Sequence, residues 1–123
     1  MQNDNEKFKN ELKKRLYNWV LRLIKFIDNL SKDSVSVVMG KQLLRSGTSV
    51  LANYIEANSA SSRKDFINYF SYALKSANES KVWLSLLIDT KRGEESEART
   101  LLAELIEISK VLASSIITLK SKK

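Results

Sequence analysis

The chain has 123 residues, 28% of them charged, with 21 Lys+Arg against 14 Asp+Glu and a formal net charge of +7. It contains no Cys, no His and no Pro, and only three Gly. The first two absences exclude disulfides, thiolate metal sites, His-based general-base chemistry and most zinc or iron sites; the last two leave too few turns for an all-β fold. The expectation is one all-α domain over 1–123, an antiparallel up-down-up-down four-helix bundle, with no catalytic residue, metal or cofactor and an attraction for polyanions. The polar start, Met1 to Glu6, carries no signal-peptide pattern. No apolar run approaches the roughly 20 residues of a membrane span. A cytoplasmic protein without a membrane partner is expected.

The first predicted helix covers about 5–30. Phe8, Leu12, Leu16, Trp19, Val20, Leu23, Ile24, Ile27 and Leu30 recur at helical spacing. Asn3, Asp4 or Asn5 is placed to cap it, since a short side-chain oxygen accepts from a free first-turn N–H. A turn follows at Asn29–Ser34. The second helix, 34–58, carries the stripe Val37, Leu44, Gly47, Leu51, Tyr54 and Ile55, flanked by Leu43 and Val50. Gly40 and Gly47 lie inside it, each costing about 1 kcal/mol against Ala; close approach of a neighbouring helix or a break near Gly40 would account for them.

Asn58–Ser62 is the second turn, and Ser62 followed by Asp65 is a helix-start signal. The third helix, 63–90, buries Phe66, Phe70, Ala73, Ala77, Leu84 and Leu87. Gly93 ends this region, and Glu94, Glu95 and Glu97 place negative charge at the positive end of the fourth helix. That helix, 95–119, has Leu101, Leu105, Ile108, Leu112, Ile116 and Leu119 on its core side, widened by Leu102, Ile106, Ala113 and Ile117. Lys120–Lys123 is expected to fray. Short connections between four helices of similar length favour the up-down topology.

Two faces exceed what a monomeric bundle needs. On the third helix Tyr72, Ser76, Glu79, Trp83 and Leu86 form a second line, and Tyr72, Trp83 and Leu86 are candidate oligomer-interface residues, the alternative being a covered bundle edge. On the second helix Gln42, Arg45, Ser49, Asn53 and Glu56 share one arc of roughly 80°. Antiparallel pairing about Ser61 sets Arg45 level with Ser76 and near Glu79, where a charge-assisted pair would fix register.

The run from Gln42 through Leu43, Arg45, Ser49 and Asn53 to Glu56, with Phe66–Phe70 and Ala73-Leu74-Lys75-Ser76-Ala77-Asn78-Glu79, resembles the bacterial four-helix-bundle family of 23S rRNA intervening-sequence proteins. The likeness is detailed over the second and third helices and extends to the whole chain in length and pattern. Gly47, Tyr54 and Ala57 depart from the commoner residues. The resemblance implies an up-down bundle that assembles as a ring-like homopentamer, of poorly defined role. A related group resembles accessory proteins of diversity-generating retroelements, which assist a reverse transcriptase and bind nucleic acid.

The positive excess is localised: +4 over residues 1–32 and +3 over 63–92, with the rest neutral. Lys7, Lys14, Arg15, Arg22, Lys25 and Lys32 fall within an arc of roughly 100°, interrupted only by Glu11. This line, about 37 Å long at about 1.5 Å per residue, is the candidate nucleic-acid-binding face. No base-reading module accompanies it, so RNA or DNA would be bound by charge or shape. The function expected is that of a homo-oligomeric, non-enzymatic nucleic-acid-binding protein; the alternative is a scaffold or accessory subunit docking another protein, such as a reverse transcriptase.

Overall fold

A computed structural model describes residues 4–122, apart from the side chain of Asn5. Four helices account for the described chain: α1 Asp4–Asp28, α2 Ser34–Asn58, α3 Arg63–Asp89 and α4 Glu95–Ser121. Each packs on its neighbours in sequence, and α4 returns to α1, closing a four-helix bundle. α2 and α3 make the closest approach, α1 and α4 the loosest.

The helix starts follow local chemistry. Asp33 caps α2, its carboxylate accepting from the Ser36 N–H at 3.0 Å and from the Ser36 hydroxyl at 2.8 Å. These bonds to the charged form hold the Asp33 carboxyl below its ordinary value. Ser62 caps α3 by accepting from the Asp65 N–H at 3.1 Å. Glu94 caps α4, accepting from the N–H groups of Ser96 and Glu97. At the start of α1, Asp4 is already helical; Asn3 and the Asn5 side chain lie outside the described residues.

Several boundaries differ from the periodic reading. α1 stops at Asp28, where the Asn29 and Leu30 N–H groups turn back to Phe26 and Ile27. α3 closes in a Schellman-type turn, with Arg92 N–H bonded to Leu87 O and Lys91 N–H to Ile88 O. Lys91, at φ 57°, takes the left-handed position that usually falls to glycine, and Gly93 follows at φ 80°. α4 runs on through Lys120 and Ser121, residues expected from sequence to fray.

The core differs from the periodic reading on every helix, and on α3 the difference is that Phe66 is only partly covered. Phe8 and Ile24 of α1 are exposed, and Phe26 is buried in their stead. On α2 the buried stripe is Met39, Gly40, Leu43, Ser46, Gly47, Val50, Tyr54 and Ala57. Val37, Leu44 and Ile55 are exposed, on the flank of α2 beside α1. On α4, Ile106 and Ile117 are exposed, Leu119, Leu102 and Ala113 are partly covered, and the remaining core side is buried as expected.

Close approach explains the α2 glycines, since the helix is unbroken at both. A Cβ on Gly47 would stand 2.3 Å from Leu23 and 3.3 Å from the Trp19 ring; one on Gly40 would stand 3.1 Å from Leu30. Trp19, 2% exposed, reaches the opposite way too, donating Nε1–H to the Leu101 carbonyl of α4 at 3.0 Å. It thus ties α1 to both its neighbours.

Candidate nucleic-acid interface

α1 presents the basic line because its apolar residues are turned inward at helical spacing, leaving the opposite arc to Lys and Arg. The structure divides that line in two. Arg15 and Arg22 lie on the α4 side. Arg15 makes a bidentate pair with Glu104, at 2.8 Å from Nε and 2.7 Å from Nη2. Arg22 makes another with Glu97, both bonds at 3.1 Å. The hydrogen bonds from Arg15 lower the Glu104 carboxyl below its ordinary value, and the same contact raises the Arg15 guanidinium. Lys7, Lys14 and Lys25 are exposed on the outward arc, with no ion pair to any described residue. Lys32 lies beyond the end of α1, in the turn to α2. The helical part of the lysine line therefore spans Lys7 to Lys25, about 27 Å at about 1.5 Å per residue.

The sequence reading missed Glu97 and Glu104 as partners, although a signal was present. Arg15 and Arg22 are seven residues apart, and so are Glu97 and Glu104. Two turns on one helix thus match two turns on an antiparallel neighbour.

The polar line of α2 and the aromatic line of α3 meet on the outside of the α2–α3 seam. Arg45 Nη2 donates to the Glu79 carboxylate. Arg45 Nε and Nη2 also donate to Gln42 Oε1, at 3.2 and 3.0 Å. Trp83 Nε1–H donates to the same Glu79 oxygen at 3.3 Å. Further along α2, the Ser49 hydroxyl and the Asn53 amide bond back to the carbonyls of Arg45 and Ser49, and Glu56 is exposed. The register differs by about a turn from that inferred about Ser61. Ser46, not Arg45, faces into the seam, 2.7 Å from the Ser80 hydroxyl, and Ser80 in turn donates to the Ser76 carbonyl. The Arg45–Glu79 pair is solvent-exposed rather than buried, so its contribution to stability of the lone chain is small. Tyr72 is 52% and Leu86 40% exposed beside it, while Trp83 is half-buried.

Among the described residues no group of three or more acidic side chains is placed to hold a metal ion. No described helix is long and apolar enough to cross a membrane.

Comparison with known proteins agrees with the architecture. The model of the 23S rRNA-intervening sequence protein family matches residues 9–114. A crystal structure from Bacteroides thetaiotaomicron, described as a protein of unknown function from the S23 ribosomal protein family, is 40% identical. It aligns over 88% of this chain and 96% of its own with a TM-score of 0.81. No curated protein matches the chain.

Proposed function

The chain belongs to the 23S rRNA-intervening sequence protein family, and from that premise we propose that it is a non-enzymatic, self-associating protein that binds RNA or DNA through the outward lysine line of α1. The observation that carries this reading is the division of the basic line: Lys7, Lys14 and Lys25 face solvent without acidic partners among the described residues, whereas Arg15 and Arg22 are spent on α4. Ammonium groups spread along one helix face can follow a phosphate backbone and displace its counterions. Nothing in the line reads base edges, so binding is tolerant of sequence.

Self-association uses the α2–α3 face in this reading. Tyr72 and Leu86 are exposed apolar groups flanking a polar network whose members are already oriented by one another. That composition, aromatic anchors beside a hydrogen-bonded Arg, is typical of residues that dominate interfaces. A ring of five copies, as the family resemblance implies, would repeat the lysine line and add weak contacts by multivalency.

Retention of total RNA on immobilised protein tests the binding claim. The wild type is expected to retain RNA at low salt and release it steeply towards physiological salt. Changing Lys7, Lys14 and Lys25 together to Glu is expected to abolish retention without unfolding the bundle. Retention unaffected by those changes would refute the reading. Light scattering tests the assembly: a mass near the 14.0 kDa of one chain would refute the α2–α3 interface, and Trp83→Ala is expected to release subunits from a larger species.

A further inference from the structure

At the end of the bundle where α1 and α3 begin, a cleft of about 760 Å³ opens between the helix ends. Its inner wall is aromatic. Phe66 lies on the buried Phe70 with ring centres 4.7 Å apart, and Phe8 stands in the wall 45% exposed. Among the described residues its lining carries four cations, Lys9, Arg63, Lys110 and Lys122, and one carboxylate, Glu107, with which Lys110 pairs at 3.6 Å.

One of these cations lies against the aromatic wall and another is held by the chain end. Lys9 Nζ stands 5.7 Å from the Phe66 ring centre, and Arg63 is steadied by donating Nη1–H to the Lys122 carbonyl at 2.9 Å. The Ser114 and Thr118 hydroxyls, also in the lining, donate to no acceptor among the described residues.

We propose that this cleft receives the unpaired terminal nucleotides of a single-stranded nucleic acid. A base stacks on Phe8, the ring whose face is open, and the phosphates meet Lys9, Arg63 and Lys122. A base offers a π-face to any aromatic side chain, and a positive groove beside such rings is how single strands are held without sequence readout. The volume lies within the range of pockets that enclose one compact ligand, which suits one or two nucleotides. Three separated cations, Lys9, Arg63 and Lys122, fit repeated phosphodiesters better than the single head group of an apolar anion. A duplex keeps its bases stacked on one another and has none to offer, so the cleft discriminates strand state where the lysine line does not. The inference rests on the nucleic-acid reading of α1 and deepens it: Lys7 belongs to the line and neighbours Phe8, so a strand end seated here continues onto α1.

Fluorescence anisotropy with a labelled ten-nucleotide oligoadenylate, alone and paired with oligouridylate, tests the proposal. The wild type is expected to prefer the single strand. Phe8→Ala is expected to weaken single-strand binding at least about fivefold, the low end of one stacked base, and to leave duplex binding unchanged; Phe8→Trp should restore the preference. Phe8 is outside the buried core, so the bundle remains folded. Equal affinity for both forms, or a Phe8→Ala variant with unchanged preference, would overturn the cleft while leaving the lysine line standing. So would saturation of the cleft by palmitate without any effect on oligoadenylate binding. Loss of all binding in the Lys7, Lys14, Lys25→Glu variant, together with an inert Phe8, would locate the whole effect on α1.

Discussion

The two seams that flank the bundle are held in opposite ways. Between α2 and α3 the helices approach most closely, with the small residues Ser46 and Ser80 fully buried at the contact and a network of larger polar groups outside it. Between α1 and α4 the approach is loosest, and long side chains cross the gap: Arg15 to Glu104, Arg22 to Glu97 and Trp19 to the Leu101 carbonyl. The close seam leaves its charged residues on the surface, where they can meet another molecule. The open seam consumes two arginines in holding itself together. Positive charge in the sequence is therefore not equivalent to positive charge on offer, and the outward lysines are what remains.

Breaking each seam should give effects of different size. Trp19→Ala removes a buried indole and its hydrogen bond to Leu101, and is expected to destabilise by about 3–5 kcal/mol in denaturant unfolding. Ser46→Leu forces a larger side chain into the α2–α3 contact and deprives the Ser80 hydroxyl of its neighbour; the expected loss is about 1–3 kcal/mol. A smaller loss than from Trp19→Ala would still fit, but none at all would show that the close seam has spare room.

Glu104→Gln is the mildest of the three. The pair with Arg15 is partly solvated, so at neutral pH the loss is expected to stay below about 1 kcal/mol. Its signature is in pH dependence. The Glu104 carboxyl is lowered in the folded state from an ordinary value near 4.5, so the unfolded chain takes up its proton first as pH falls. The stabilisation is complete above that value and fades as pH drops below it towards the folded value. Glu104→Gln should therefore flatten the acid limb of a stability-versus-pH curve, and an unchanged limb would show that the α1–α4 pair is idle.

The four helices were legible because each carries a run of apolar residues at helical spacing, with the Ser62 cap marking the start of α3; the Asp33 and Glu94 caps of α2 and α4 emerged only from the structure. The core face of α2 was not. That helix is apolar on two flanks, Met39–Leu43–Val50 and Val37–Leu44–Ile55, and periodicity alone does not say which one a neighbour covers. The burial of Ser46 against Ser80 was equally hidden, since small polar residues that satisfy each other leave no hydrophobic trace. The Arg45–Glu79 contact was visible from spacing, though not its register or its exposure. The cleft at the bundle end could not be found along the chain at all: Phe8, Phe66, Lys110 and Lys122 come from three helices and the residue after α4, and meet only when the bundle closes.

The central claim is that the outward lysines of α1 are the groups that meet phosphate, and the salt dependence of RNA binding tests it most directly. With Lys7, Lys14 and Lys25 changed to Gln, the slope of log K against log salt is expected to fall by about 2–3, roughly 0.7–0.9 for each phosphate contact removed. An unchanged slope would contradict the account and place the binding charge elsewhere on the molecule.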